Sequence, residues 1–299
     1  MDILNHVAQS VANGLLIGSV YALISVGLTL IFGVMNIVNF AHGEFLMVGM
    51  FGAYFASTAF GLDPLWIAPL IGIAGFLLGA LVERTIIEPI IKAPQSAQII
   101  ATVGLGIILA NGAAAIFGNN FLSVKTPYQG ETFSLFGLHF AATFVYAAAY
   151  AVVMAVLLAL FLNKTRFGKA MRATAQNRGA AQLLGIDPKR MYMVAFGLGV
   201  ALVTLAGSVI LPYTLVYPFI GQQYVLIMFT VVVLGGLGSI RGAIIAGLVV
   251  GVIQSLSTLL LPSELQNLPV FIVFFIALVL ISGGVLSRVR NASVKLKRS

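Results

Sequence analysis

Four polar side chains interrupt an apolar stretch near the N-terminus, and they are the residues of this chain most suited to chemistry. Asn36, Asn39, His42 and Glu44 lie in an otherwise apolar run. Ionisable groups inside a membrane segment are costly and are functional candidates by default, so His42 and Glu44 could form a polar relay. The alternative is structural: Asn39 or Glu44 caps a helix break, and His42 bonds to backbone groups that the break frees.

These residues do not have the pattern of a metal site or a catalytic centre. His42 and Glu44 are two residues apart, a spacing that does not put them on one helix face. The chain has no cysteine, and it lacks a His-x-x-x-His motif or an equivalent ligand set. No catalytic triad is recognisable either. We therefore expect no catalytic residue, no metal and no cofactor.

The sequence also lacks a nucleotide-binding motif. Its only Gly-Lys pair, Gly168–Lys169, is followed by Ala170, and Asn163 stands where a P-loop needs its first glycine. If the protein moves a solute with ATP, another subunit must bind and hydrolyse the nucleotide.

A second interruption, rich in glycine, occurs in the other half of the chain. It contains Gly235, Gly236, Gly238 and Ser239. Small-residue-rich helices are expected after both interruptions, at 47–59 and at 243–257. Paired interruptions in two halves point to the transport pathway of repeat-built transporters. The four polar residues and these four small residues are therefore the candidate pathway.

The composition requires that lipid surround the elements carrying these residues. Hydrophobic residues make up 60% of the 299 residues, charged residues only 8%, and the mean hydropathy is +1.08, whereas soluble domains carry roughly 25% charged residues. Apolar stretches of about 20 residues predict membrane-spanning helices. They lie near 11–33, 44–60, 65–83, 97–118, 141–163, 191–215, 222–240, 242–261 and 267–286. We expect an all-α polytopic membrane protein with eight or nine transmembrane helices, forming one transmembrane domain over 1–299.

The positive charge predicts the orientation of this domain. Seven of the sixteen basic residues lie in 164–190 and five at the C-terminus, and basic loops stay on the cytoplasmic side. The loop 164–190 and the tail 287–299 are therefore predicted to be cytoplasmic, and the loop 119–140 and the N-terminus external. The net charge of +8 indicates contact with anionic lipid headgroups rather than nucleic acid.

The loop 164–190 carries a further signal in its uncharged part. Residues 171–184 predict one short amphipathic helix, which Gly185 would end. Asp187 and Pro188 would begin the next helix as N-cap and first residue. Two interpretations remain open: a coupling helix that docks on a cytoplasmic ATPase, or a helix that lies on lipid headgroups. The small residues Ala180 and Ala181 favour close contact with protein.

Two other features also allow two interpretations each. Tyr213, Tyr217, Phe219 and Tyr224 lie near the predicted outer surface, where they could form an interfacial aromatic belt or part of an outer mouth. Arg241 could mark a membrane boundary or pair with an acid in the pathway.

Motifs spread over residues 9 to 285 resemble the permease subunits of bacterial ABC importers for branched-chain amino acids. The resemblance rests on several stretches: Asn13–Leu23, Asn39–Glu44, Glu83–Arg84, Gly168–Ala173, Ala180–Ile186 and Val233–Ala243. It implies a type II importer permease fold in the bacterial inner membrane. It also implies that the ATPase-coupling residues are Arg172, Ala180, Ala181, Gly185 and Ile186.

The same resemblance implies the partners and the substrate. The chain would pair with a second homologous, LivM-like permease around a central pathway. Two cytoplasmic ATPase subunits would bind ATP, and a periplasmic substrate-binding protein would deliver leucine, isoleucine or valine. Urea, short amides or other amino acids are the alternative substrates within the family. A membrane-embedded enzyme using His42 and Glu44, or an ATP-independent carrier, are the alternatives from other classes.

Overall fold

Helices dominate the computed structural model, which describes residues 2–135 and 137–282. The helices are α1 (Asp2–Met35), α2 (His42–Phe60), α3 (Pro64–Val82), α4 (Glu88–Ile90), α5 (Gln95–Phe117), α6 (Ala142–Lys164), α7 (Arg166–Gln176), α8 (Arg178–Leu183), α9 (Pro188–Ile210), α10 (Ile220–Gly235), α11 (Ile240–Ser257) and α12 (Leu268–Ser282). A π-helical turn, Glu83–Ile87, joins α3 to α4. Each of the nine predicted spans overlaps mainly one helix of at least 15 residues, and the last of them, 267–286, extends beyond the described residues. The predicted tail 287–299 lies outside the described residues.

The lengths of these helices fit a chain that crosses the membrane several times. Within the described residues, six helical segments are long and apolar enough to do so, and two shorter apolar helices accompany them. The six are Leu4–Met35, Pro64–Ile90, Gln95–Phe117, Ala142–Lys164, Pro188–Tyr213 and Ile240–Ser257. The two shorter ones are Ile220–Gly235 and Leu268–Val279. The protein is therefore an all-α polytopic membrane protein.

The helix contacts divide the core into two halves of like arrangement. The most extensive contacts are α1 with α11 and α3 with α9; α1 also packs on α9, and α2 on α10. This pattern is preserved when α1, α2, α3 and α5 are exchanged for α9, α10, α11 and α12. The break between α1 and α2 thus corresponds to the break between α9 and α10, and the turn at 236–239 to the turn at 61–63. The interruptions at 34–44 and 234–242 therefore do not occupy corresponding positions in the two halves, and our pairing of them is wrong.

Glycines allow these helices to approach closely. A Cβ atom on Gly27 of α1 would lie 2.6 Å from the carbonyl oxygen of Gly199 on α9, and one on Gly199 would lie 2.7 Å from that of Gly27. Gly43 at the start of α2 and Gly221 at the start of α10 exclude each other's Cβ in the same reciprocal way. Small residues at helix interfaces are the usual means of close packing in lipid. Both crossings therefore depend on the absence of a side chain.

The connection between α5 and α6 forms a small structured cap at one end of the helices. It contains a hairpin of β1 (Thr132–Leu135) and β2 (Leu138–Ala141), antiparallel with Thr132 opposite Ala141. Tyr128 donates a hydrogen bond to Asp63 Oδ1 at 3.1 Å. Burial, with the charge of Asp63 beside it, raises the pKa of the Tyr128 phenol. The hydroxyl therefore stays protonated and ties the cap to the start of α3.

Matched glycine substitutions test whether the close crossings hold the fold together. A Cβ on Gly247 of α11 would lie 2.6 Å from Ala22 Cα on α1, whereas one on Gly112 of α5 meets nothing within 4 Å. We expect Gly247→Ala to destabilise the protein by about 1–3 kcal/mol through overpacking. Gly112→Ala should stabilise it by about 0.5–1 kcal/mol because alanine favours the helix. Thermal unfolding midpoints of the detergent-solubilised chain measure both. Equal shifts of the same sign would contradict this packing.

Candidate functional site

The break between α1 and α2 is built by its own polar residues. Asn36 ends α1 with φ of 56°, the only positive φ of a non-glycine residue in the described chain, and its N–H bonds to Phe32 O at 2.8 Å. Asparagine tolerates this left-handed conformation better than most residues. Asn39 is buried, and its Oδ1 accepts a hydrogen bond from Ala41 N at 3.1 Å. Asn39 therefore satisfies the backbone just before α2, as the structural interpretation predicts.

His42, the first residue of α2, is buried against α1. Its Nε2 lies 3.2 Å from the carbonyl oxygen of Ile24, a carbonyl within α1. A tautomer protonated at Nε2 donates this bond. The contact links the start of α2 to the middle of α1. His42 thus packs α2 on α1, but its partner is an intrahelical carbonyl and not the backbone group freed by the break that the structural interpretation predicts.

Glu44 lies on the opposite side of the same turn. It is 6% exposed and faces the first residues of α10, where a Cβ on Gly221 would lie 2.5 Å from Glu44 Oε2. Gly106 of α5 packs against the Glu44 side chain. The carboxyl group therefore sits at the N-termini of both α2 and α10, where the helix dipoles favour negative charge. His42 and Glu44 face different helices, so the structure does not join them into one relay.

The second interruption is an exposed turn between α10 and α11. Gly236 and Gly238 have φ of 87° and 82°, which only glycine adopts readily. Ser239 Oγ accepts from Gly242 N at 3.1 Å and caps α11. A Cβ on Gly238 would lie 3.2 Å from Gly33 Cα, so this turn touches the end of α1.

The eight candidate pathway residues therefore fall into two places. Asn39, His42 and Glu44 lie in the buried break. Asn36 lies at the exposed end of α1, and the segment 235–239 forms the turn that touches that end. Sequence reasoning missed Gly221, which completes the buried break. Its only signal in the sequence is a single glycine before Gln222, and one glycine does not distinguish this site from other helix starts.

Arg241, next to this turn, is exposed. Of the ion pairs within residues 2–135 and 137–282, none includes it. This favours its interpretation as a boundary residue. The described residues contain no group of three metal-ligating side chains.

The predicted helix 171–184 is wrong as a single helix. Asn177 breaks it into α7 and α8, because its extended backbone ends α7 while its Oδ1 caps α8 by accepting from Ala180 N at 3.0 Å. Asparagine favours such local caps over helix continuation. Gly185 ends α8 with φ of 79°, and Asp187 caps α9 by accepting from Lys189 N at 3.0 Å, both as predicted.

The predicted coupling residues differ in what they can contact. Ala181 is only 2% exposed, so it packs inward and cannot reach another protein, contrary to expectation. Ala180 and Gly185 are exposed and Ile186 is partly buried. Arg172 Nη1 donates to Asn163 Oδ1 at 2.7 Å, which ties α7 back to the end of α6.

Two residues that sequence reasoning missed dominate the exposed surface of α8. Leu183 is 91% exposed and Leu184 79% exposed. The sequence signal that could have identified them is their position directly before Gly185, which ends the helix. Two adjacent exposed leucines beside a basic loop form an apolar contact point that calls for a partner surface.

Contacts at both ends fix the loop to the helices. Thr165 caps α7 by accepting from Gly168 N at 3.0 Å. The Arg178 guanidinium lies 5.5 Å from the centre of the Tyr192 ring on α9. Lys189 pairs with Glu88 of α4. Movement of α7 and α8 would therefore be transmitted to α6 and α9.

A comparison with known protein families shows which family this chain belongs to. A family described as "Branched-chain amino acid transport system / permease component" matches residues 10–281. The chain belongs to this family. The permease is 31% identical over 293 residues to the high-affinity branched-chain amino acid transport system permease protein LivH of Salmonella typhimurium, covering 94% of the chain and 95% of that protein.

Two further relatives extend the comparison. The high-affinity branched-chain amino acid transport system permease protein BraD of Pseudomonas aeruginosa is 28% identical over 303 residues, covering 95% of the chain and 96% of BraD. LivM of Escherichia coli is 26% identical over 275 residues, covering 79% of the chain and 61% of LivM. No solved structure matches the permease.

Replacing His42 distinguishes its two interpretations. In the structural interpretation, His42→Ala loses one buried hydrogen bond and some packing, so uptake by the assembled transporter should fall only modestly, about two- to five-fold. The exposed His6→Ala on α1 is the matched control and should leave uptake unchanged. The measurement is radiolabelled solute uptake, normalised to the amount of assembled complex. Complete loss of uptake with normal assembly would instead support the relay.

Proposed function

We propose that this chain is the permease subunit of an ABC importer that moves branched-chain amino acids across the bacterial inner membrane. The observation that carries the proposal is the family match over residues 10–281, with LivH similar over 94% of the chain. The helical fold is consistent with it. The permease holds no nucleotide-binding motif, so partner subunits would bind and hydrolyse ATP.

The exposed end of α8 is the proposed contact with an ATPase. We define the coupling surface as Ala180, Leu183, Leu184 and Gly185, which are all exposed. Arg172, Ala181 and Ile186 support this surface from within the loop. The exposed leucines, Leu183 and Leu184, on a basic loop would fit an apolar pocket with an acidic rim on the ATPase. The loop 164–190 and the tail 287–299 would both face the cytoplasm, where anionic headgroups also attract them.

Helix contacts provide a route from the coupling surface to the membrane interior. Arg178 and Lys189 connect the loop to α9 and α4. Helix α9 crosses α1 at Gly199 and Gly27, close to the buried break. ATP-driven closure of the ATPases would thus rotate α9 and shift the broken helices between outward and inward access.

The remaining proposed partners follow from the transport system. The similarity to LivM supports pairing with a second, homologous permease around a central pathway. A periplasmic binding protein would deliver the solute to the external loop 119–140. Urea, short amides and other amino acids are the alternative cargoes, and the binding protein would largely determine the choice.

Reconstitution of the full transporter tests the proposed function. The permease, a second permease, two ATPases and the binding protein are placed in proteoliposomes, and uptake of L-leucine, L-valine, L-phenylalanine and urea is measured. We expect ATP-dependent uptake of leucine and valine. ATP-dependent uptake of urea alone would establish the alternative cargo, and uptake without ATP would contradict an ABC importer.

Substitutions on the coupling surface test its role. Changing Leu183 and Leu184 together to serine removes two exposed apolar side chains, each of which contributes about 1.5–3 kcal/mol when buried at an interface. We expect at least a tenfold loss of ATP-dependent uptake and loss of ATPase co-purification in detergent. The exposed Ala175→Ser on α7 is the control and should behave as wild type.

Co-purification in detergent, where no bilayer is present, distinguishes contact with an ATPase from contact with lipid headgroups. If the leucines only lie on lipid, ATPase co-purification in detergent should be unchanged by the double substitution. That result would contradict the coupling surface.

A further inference from the structure

A cavity of about 440 Å³ lies between α1, α10, α11 and the segment before α12. It differs from the larger cavity, of about 1040 Å³, between α3, α6 and α9, whose walls are almost entirely apolar. Polar and apolar side chains line the smaller cavity together. Its volume is in the range of about 300–1,000 Å³ typical of small-molecule sites.

The position of this cavity places it at the predicted external end. Asn13 of α1 and Phe144 of α6 are among its lining residues. One turn before Asn13, Gln9 bonds to His139 of the external cap. Tyr224 also lines the cavity and follows Gly221 by less than one turn, about 5 Å along α10. The cavity thus extends from the external cap towards the buried break.

A chain of neutral hydrogen-bonding groups forms one wall. Tyr21 donates from its hydroxyl to Gln254 Oε1 at 2.6 Å, and Gln254 Nε2 donates to Asn267 Oδ1 at 2.6 Å. This arrangement leaves one N–H of Gln254 and the amide N–H groups of Asn267 for a ligand. The chain links α1, α11 and the segment before α12, so the wall is pre-organised.

The other walls supply aromatic and aliphatic surface. Tyr21 and Tyr224 stack edge to face with ring centres 6.5 Å apart, and Tyr213 contributes a third ring. Ile17 and Ile227 provide aliphatic contact. Phenol rings attract ammonium groups over their faces.

The lining residues of this cavity include no charged side chain. A ligand with a net charge would lose its hydration there without a compensating charge. A zwitterion with an apolar side chain fits better. Amide N–H groups can bind its carboxylate, phenol rings can face its ammonium group, and the isoleucines can contact its side chain.

We infer that this cavity is an external binding subsite for the amino acid being transported, occupied between its release from the binding protein and its passage through the buried break. The inference rests on the proposed function and adds a site within this permease. It also assigns Tyr213 and Tyr224 to the external mouth rather than to an aromatic belt. Gln254 and Asn267 hold the carboxylate, and Tyr21 positions Gln254.

Two matched hydroxyl deletions test the subsite. Tyr21→Phe frees Gln254, whereas Tyr150→Phe removes a hydroxyl from the larger cavity. In proteoliposomes of the full transporter we measure L-leucine uptake and ATP hydrolysis stimulated by liganded binding protein. For Tyr21→Phe we expect leucine imported per ATP to fall about tenfold, which corresponds to about 1.4 kcal/mol. Tyr150→Phe should behave as wild type.

The volume-conserving Gln254→Met provides an independent second variant and should reproduce the loss. Unchanged leucine import per ATP in both Tyr21→Phe and Gln254→Met would overturn the subsite. An equal fall in import and in stimulated hydrolysis would also overturn it, because the residues would then serve docking or assembly. If the wild-type transporter imports no amino acid, the proposed function itself fails.

Discussion

Close contact between backbones at glycines is the interaction on which the rest of this permease depends. Lipid is as apolar as the side chains, so helices in it gain little from hydrophobic association and rely on tight packing. The contacts of Gly27 with Gly199 and of Gly43 with Gly221 bring four helices together at the centre. The two halves of the chain meet at these contacts, which therefore fix the geometry of the buried break.

The break adds a second constraint, because backbone groups inside lipid must find hydrogen-bond partners. Asn39 meets this need by accepting from Ala41 N, whereas His42 bonds to the Ile24 carbonyl in the middle of α1. These bonds give both residues a structural role in the break. Glu44 is different, since it faces the start of α10 across the two halves. A solute that follows the proposed route from the external cavity would approach this region next.

In the proposed function, the rigid loop 164–190 would connect the ATPase subunits to this centre. Caps at Thr165, Asn177 and Asp187 hold α7 and α8 in a fixed fold. Ion-pair and cation–π contacts attach that fold to α4 and α9. In the proposed function, movement of the exposed leucines would therefore be passed on to the crossing of α9 with α1. Charge alone determines only which side of the membrane the loop occupies.

The sequence by itself determined the class of the protein, the positions of most long helices to within a few residues, and the family. Apolar length, Gly185 and the Asp187–Pro188 pair act locally, so they can be recognised without a fold. It did not reveal the break at Asn177, where a side-chain cap competes with helix continuation. Only the tertiary structure decided that Ala181 is buried and that Leu183, two residues later, is exposed. It alone brought Tyr21 to Gln254, 233 residues later in the chain, because such contacts depend on how distant helices pack.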